Sequence, residues 1–116
     1  MKPLRIYVAH RYSCHGKYLE TFASIGRAVK VGIEIAKLGH YPFVPHTDVL
    51  LAIMSNGELP LKYYYNASLE WLKVSNAIFI FDTADIMNSE GVRTEYLYAL
   101  KYGIPVYTKL EDIPQC

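Results

Sequence analysis

Apolar and polar residues fall in blocks along the chain, and each block has a period. Leu4 to Ala9 is mostly apolar and short, which predicts a strand; the polar run His10-Arg11-Tyr12-Ser13-Cys14-His15-Gly16 follows as a loop. From about Tyr18 to Leu38, Phe22, Ile25, Val29, Ile33 and Ala36 recur at helical spacing, marking the inward stripe of a long helix that Gly39 stops. Tyr41 to Val44 predicts a second strand, closed by Pro45. Val49 to Met54 fits a short helix or an extended segment, and Ser55-Asn56-Gly57 is a turn. Leu61 to Val74 predicts a second long helix, with Leu69 and Leu72 inward and Trp71 near the edge. Ala77 to Phe81 is continuously apolar, as a central parallel strand covered on both faces would be. Asp82 to Glu90 then reads as a loop and Gly91 to Tyr102 as a helix stopped by Gly103. Ile104 to Tyr107 reads as the last strand, with Pro105 tolerable at its start.

Strands alternating with helices imply a parallel sheet with right-handed crossovers. The expected fold is α/β, a Rossmann-like or flavodoxin-like three-layer sandwich with a small parallel sheet of four to five strands, forming one domain over 1–116. Such folds bind ligands beyond the carboxyl ends of their strands. Those ends carry His10-Arg11, His46-Thr47-Asp48, Asp82 and the turn from Ser89 to Glu95. The convergence of polar residues on one edge predicts a site there.

Composition narrows the function. The 116 residues are 52% hydrophobic with a net charge of +1, which fits a globular enzyme or binding domain rather than a disordered chain. Basic residues form no stripe, so a nucleic-acid polymer is not an expected partner. The apolar runs are shorter than a membrane span. The start runs directly into a strand-like segment, so no signal peptide and a cytoplasmic location are expected. Cys14 and Cys116 read as free thiols, and Asn66-Ala67-Ser68 as a chance glycosylation sequon. His10, His15, His40 and His46 lack metal-ligand spacing, so neither a metal nor a cofactor is expected. The 11 tyrosines suit a base-stacking pocket, core edges or a subunit interface equally. Tyr63-Tyr64-Tyr65 reads as interface or pocket rim.

Glu95 is the charge out of place. It shares the helical stripe of Val92, Tyr96, Ala99 and Leu100, where a carboxylate is costly unless something pairs or uses it. It follows the polar turn Asn88-Ser89-Glu90-Gly91, which places it in the first turn of its helix, facing a bound ligand and kept ionised by the helix N-terminus. The bland alternative is an exposed helix residue with the period misjudged by one. Ser89 is an expected helix N-cap, and His46 and Asp48 are expected to form a hydrogen-bonded loop pair.

Ile6-Tyr7-Val8-Ala9, Gly39-His40-Tyr41-Pro42-Phe43-Val44-Pro45-His46, Leu69-Glu70-Trp71-Leu72 and Ser89-Glu90-Gly91-Val92-Arg93-Thr94-Glu95 occur in this order. Together they resemble the nucleoside 2-deoxyribosyltransferase-like superfamily, over nearly the whole chain. The nearest branches are the 2'-deoxynucleoside 5'-phosphate N-hydrolases and small phage or prokaryotic relatives. The resemblance implies that Glu95 is a nucleophile attacking the anomeric carbon, after which water or a second base takes the sugar. This suits an oxocarbenium-like transition state. It also implies that Tyr7 borders the catalytic carboxylate, and that Ser89 and the Gly91 backbone bind sugar or 5'-phosphate. The loop after the first strand would contact phosphate through Arg11, Tyr12 and Ser13. The candidate site is thus Glu95 and Tyr7 for catalysis, with His10, Arg11, Ser68, Asp82, Ser89 and Gly91 for binding. Homo-oligomers are usual in the family, so a homodimer or higher oligomer is expected.

Two positions depart from the family. Relatives carry an Asp just before Leu-Glu-Trp-Leu that helps protonate the departing base; here it is Ser68, a poor acid. Asp82, Asp85, Asp48 or His46 could stand in for it. Asn76 replaces another common Asp, where a structural role at the strand start is expected. The expected reaction is hydrolysis of a (2'-deoxy)nucleoside 5'-monophosphate. Base exchange, cleavage of another glycosidic nucleotide and non-catalytic nucleotide binding are the alternatives.

Overall fold

The computed structural model describes residues 1–12 and 18–116. The expectations for Ser13, Cys14 and His15 lie outside the described residues. Strand β1 (Arg5–Ala9) leads to helix α1 (Tyr18–Lys37) and strand β2 (Tyr41–Phe43). A 3-10 turn (Pro45–Asp48), α2 (Val49–Met54) and α3 (Leu61–Lys73) follow, then β3 (Ala77–Ile80), α4 (Asp85–Asn88), α5 (Glu90–Lys101) and β4 (Val106–Tyr107). The Val49 segment is therefore helical. The expected loop from Asp82 to Glu90 contains α4, a single turn too short to show a hydrophobic period.

The four strands run in the order β2-β1-β3-β4, all parallel, with Tyr7 opposite both Phe43 and Ile78 and Phe79 opposite Tyr107. This is a doubly wound order. The chain reverses its direction of travel across the sheet between β1 and β3, and in folds of this order the crevice that takes a ligand lies beyond the carboxyl ends of those two strands. Pro105 has no N–H to give, but its carbonyl accepts from Ile78 N at 2.9 Å and extends the β3–β4 ladder. Asn76 closes the other end of the sheet: its Oδ1 accepts from Arg5 N at 2.8 Å and its N–H donates to Arg5 O at 2.7 Å.

Side chains alternate across the sheet. Ile6, Val8, Ala77 and Phe79 face one layer, with Ala28 and Ile35 of α1; Tyr7, Ala9, Ile78 and Ile80 face the other, with Leu72 of α3 and Val92 and Ala99 of α5. The inward stripe of α1 differs from the expected one. Ser24, Ala28, Gly32 and Ile35 are buried, while Phe22 and Ile33 are half or more exposed. Size explains the rotation. A Cβ on Gly32 would lie 2.8 Å from Val44 Cγ2, so α1 approaches the sheet more closely than a stripe of large residues allows. Leu100, expected inward on α5, is likewise exposed. Helices α1 and α5 both end as foreseen at glycines with positive φ, Gly39 (+93°) and Gly103 (+69°). The next N–H of each reaches back to a carbonyl of the last turn. Among the described residues, no helix is long and apolar enough to cross a membrane.

Candidate functional site

The first cluster joins β1 to α5. Tyr7 is fully buried on β1, and its hydroxyl donates a hydrogen bond to Glu95 Oε2. Burial and the adjacent carboxylate push the Tyr7 pKa well above its ordinary value, so it remains a neutral donor. The Ser68 hydroxyl of α3 acts on the same phenol oxygen from a third element.

Glu95 is the sixth residue of α5, in its second turn rather than its first. A helix dipole fades within one turn, so its N-terminus does not keep this carboxylate ionised. Desolvation dominates and raises the Glu95 pKa to about 7, with the Tyr7 hydrogen bond pulling it partly back. The expected ionised group is therefore poised near neutrality.

Ser89 caps α5, its Oγ accepting from Val92 N at 3.3 Å. Gly91 lies in the first turn, and a Cβ there would meet only Tyr65 Cε1 at 3.9 Å and Ser89 Oγ at 4.0 Å. These are ordinary contacts, so packing within the chain does not demand a glycine.

The second cluster lies where β1 and β3 end. The buried His10 contacts Asp85 Oδ2 through Nδ1 at 2.7 Å, while its Nε2 accepts from Arg27 Nε at 3.3 Å. That pair of partners assigns the proton to Nδ1. Burial lowers the His10 pKa, against the opposing pull of Asp85. Arg11 Nη1 donates to Asp82 Oδ2 and to Asp85 Oδ1, both at 3.0 Å, and Arg11 N donates to Asp85 Oδ2 at 3.2 Å. The Arg11 guanidinium thus faces two carboxylates, while Arg27 meets the His10 ring and Ser24 Oγ at 2.8 Å. One ligand atom each from His10, Asp82 and Asp85 lie within 4.8 Å of one another, a set that could hold a metal ion. The His10 proton and the Arg11 N–H groups already point at these carboxylates, so the set stands as an ion-pair network.

Aromatic residues and His46 pack around the ends of β1 and β2. Trp71 stacks on Phe43 with ring centroids 5.2 Å apart, and Phe43 lies 5.7 Å from the Tyr7 ring. His46 does not pair with Asp48, as the sequence suggested. Its Nε2–H donates to the carbonyls of His10 (2.8 Å) and Arg11 (3.2 Å), because the turn that begins at Pro45 folds the ring back under the β1 loop. Among the described residues, His46 Nδ1 and Tyr64 Oη are buried with no hydrogen-bond partner.

The structure therefore brings Glu95, Tyr7 and Ser68 together, and separately His10, Arg11 and Asp82, with Ser89 and Gly91 at the head of α5. Asp85 and Arg27 complete the second cluster but were not in the candidate set. The sequence offers Asp85 only as a stand-in acid, because the apparent loop hides its pairing with His10 and Arg11, and Arg27 sits beside a stripe of small residues that does not read as a buried face.

A four-stranded, all-parallel sheet flanked by helices defines an α/β protein with its polar crevice at the strand ends. No family model matches the chain, nor does any curated protein. Among solved structures its fold is similar to that of the 2-deoxyribosyltransferase of the psychrotolerant bacterium Bacillus psychrosaccharolyticus. The TM-score is 0.51 and the identity 19%, over 88% of this chain and 69% of that one.

Proposed function

We propose that this protein cleaves the N-glycosidic bond of a (2'-deoxy)nucleoside 5'-monophosphate and releases the free base, with Glu95 as nucleophile. The observation that carries the reading is the Tyr7–Glu95 hydrogen bond, which joins a buried carboxylate of α5 to the phenol of the central strand β1. A carboxylate there can stabilise an oxocarbenium-like sugar and form a glycosyl ester, which water then hydrolyses. With a pKa of about 7 it is about half ionised at neutral pH. The neutral Tyr7 phenol holds the attacking oxygen in place.

In this reading Arg11, Ser89 and the Gly91 backbone take the 5'-phosphate and sugar at the N-terminus of α5. Asp82 and Asp85 hold Arg11 in position, and His10 holds Asp85. Exposed apolar residues of α2 and the exposed Tyr63, Tyr65 and Trp71 beside the crevice favour a homodimer; a monomer by light scattering would count against one.

Likeness of fold to a deoxyribosyltransferase favours base exchange as the second reading, differing only in the acceptor. The test is chromatography of free base from a panel of ribo- and deoxynucleosides and their 5'-monophosphates, with and without a second base. Glu95→Gln should lower release by about a thousandfold or more. A melting temperature raised by a nucleotide that stays intact would instead indicate a binding module.

A further inference from the structure

A purine or pyrimidine leaves C1' readily only if a proton reaches its ring as the electron pair of the C1'–N bond arrives. Ser68 cannot supply it at neutral pH. The other candidates can be weighed by their contacts. Asp82 and Asp85 both accept from the Arg11 guanidinium, and Asp85 also from His10. Protonating either would set an O–H against donors already in place. His46 gives its Nε2 proton to two backbone carbonyls, and burial keeps the ring neutral, leaving Nδ1 as an acceptor.

Asp48 differs from all of these. It is the last residue of the 3-10 turn that runs directly into α2, its backbone is helical (φ −62°, ψ −11°), and its side chain makes no capping bond. Among the described residues nothing ion-pairs or hydrogen-bonds its carboxyl. It lies close enough to the Tyr7 and Tyr12 hydroxyls for its charge to raise the pKa of both, and it follows His46 by two residues in the turn after β2. The same neighbourhood holds the unpartnered His46 Nδ1 and Tyr64 Oη, since Tyr12 lies against His46 (5.9 Å between ring centroids) and interacts with Tyr64. A planar ligand with donors and acceptors on its edge, such as a nucleobase, would satisfy both.

We infer that Asp48 is the general acid for the departing base, an inference that rests on Glu95 being the nucleophile. As a Glu95 oxygen bonds to C1', the C1'–N pair passes to the base and the Asp48 carboxyl proton passes to a base nitrogen. Water then attacks C1' of the ester, freeing the Glu95 carboxylate and returning one proton to Asp48. Partial burial, which raises the Asp48 pKa, helps it hold that proton.

The test uses the full chain and deoxynucleoside 5'-monophosphates whose bases differ in leaving ability, with N7-methylguanine among them, a base already cationic in the nucleotide that departs neutral without taking a proton. Asp48→Asn should slow release of ordinary bases by about a hundredfold or more, while N7-methylguanine release changes by less than about threefold. Asp48→Glu should restore part of the loss, and thermal melts confirm that both variants fold. Equal slowing of every base, or of none, would overturn the role of Asp48. Release that survives Glu95→Gln, or no release by the wild type from any member, would instead overturn the Glu95 reading.

Discussion

His10 and Asp85 form a buried pair in which the imidazole gives its Nδ1 proton to a carboxylate that also takes two N–H groups from Arg11. Residues 75 positions apart thereby lock the end of β1 to α4. Asp85→Asn would replace an acceptor facing three donors by an amide with one acceptor. A loss of about 3 kcal/mol in unfolding free energy is expected, measured by urea titration.

Tyr7→Phe removes the donor that stabilises ionised Glu95. The Glu95 pKa should then rise above about 7, moving the acid limb of the kcat/KM profile to higher pH. Activity should drop about tenfold or more at neutral pH and recover in part under alkaline conditions. An unchanged profile would separate the phenol from the reacting carboxylate.

Burying Glu95 also has a cost that depends on pH. Its pKa rises from 4.5 unfolded to about 7 folded, so the folded state binds the proton more tightly and stability falls as pH climbs through that window. His10 and His46 act oppositely. Their lowered pKa values mean stability is lost as pH falls below about 6.5. Glu95→Gln removes its own contribution and leaves those of the two histidines and of Asp48, whose raised pKa acts in the same sense as that of Glu95. Its melting temperature should rise between about pH 5 and 7, where the wild type is flatter, and above neutrality it should exceed the wild type by up to about 3 kcal/mol of stability.

Gly91→Ala should leave the melting temperature within a degree or two, because a methyl group there meets only ordinary contacts. If the backbone of α5 must approach a sugar or phosphate, KM should rise by about tenfold or more in steady-state assays. An unaltered KM would remove Gly91 from the binding surface.

Much of this architecture could be read from residue order. The strand–helix alternation carries the parallel sheet, and Gly39 and Gly103 mark two helix ends because only a residue free of Cβ strain takes those φ values comfortably. Glu95 was visible because a carboxylate on an apolar stripe is improbable without a partner. The partner's identity depended on the sheet, since β1 must lie beside β3 before Tyr7 can reach α5. The α1 stripe was misread because periodicity weighs hydrophobicity, whereas packing of a helix on a sheet rewards small residues at the closest approach. The second cluster is legible only in part for a related reason: a one-turn helix has too few residues to show a period, so the sequence offers Asp85 as a possible acid but not as the buried partner of His10.

The stacking of Trp71 on Phe43 has a practical consequence. Trp71 is the sole tryptophan of the chain, half exposed, and Phe43 bridges it to the Tyr7 ring. Its indole emission therefore originates beside the crevice and from nowhere else. A nucleobase entering there would alter its solvation or quench it, so the protein carries a native optical reporter that can follow ligand arrival on the stopped-flow timescale without any attached dye.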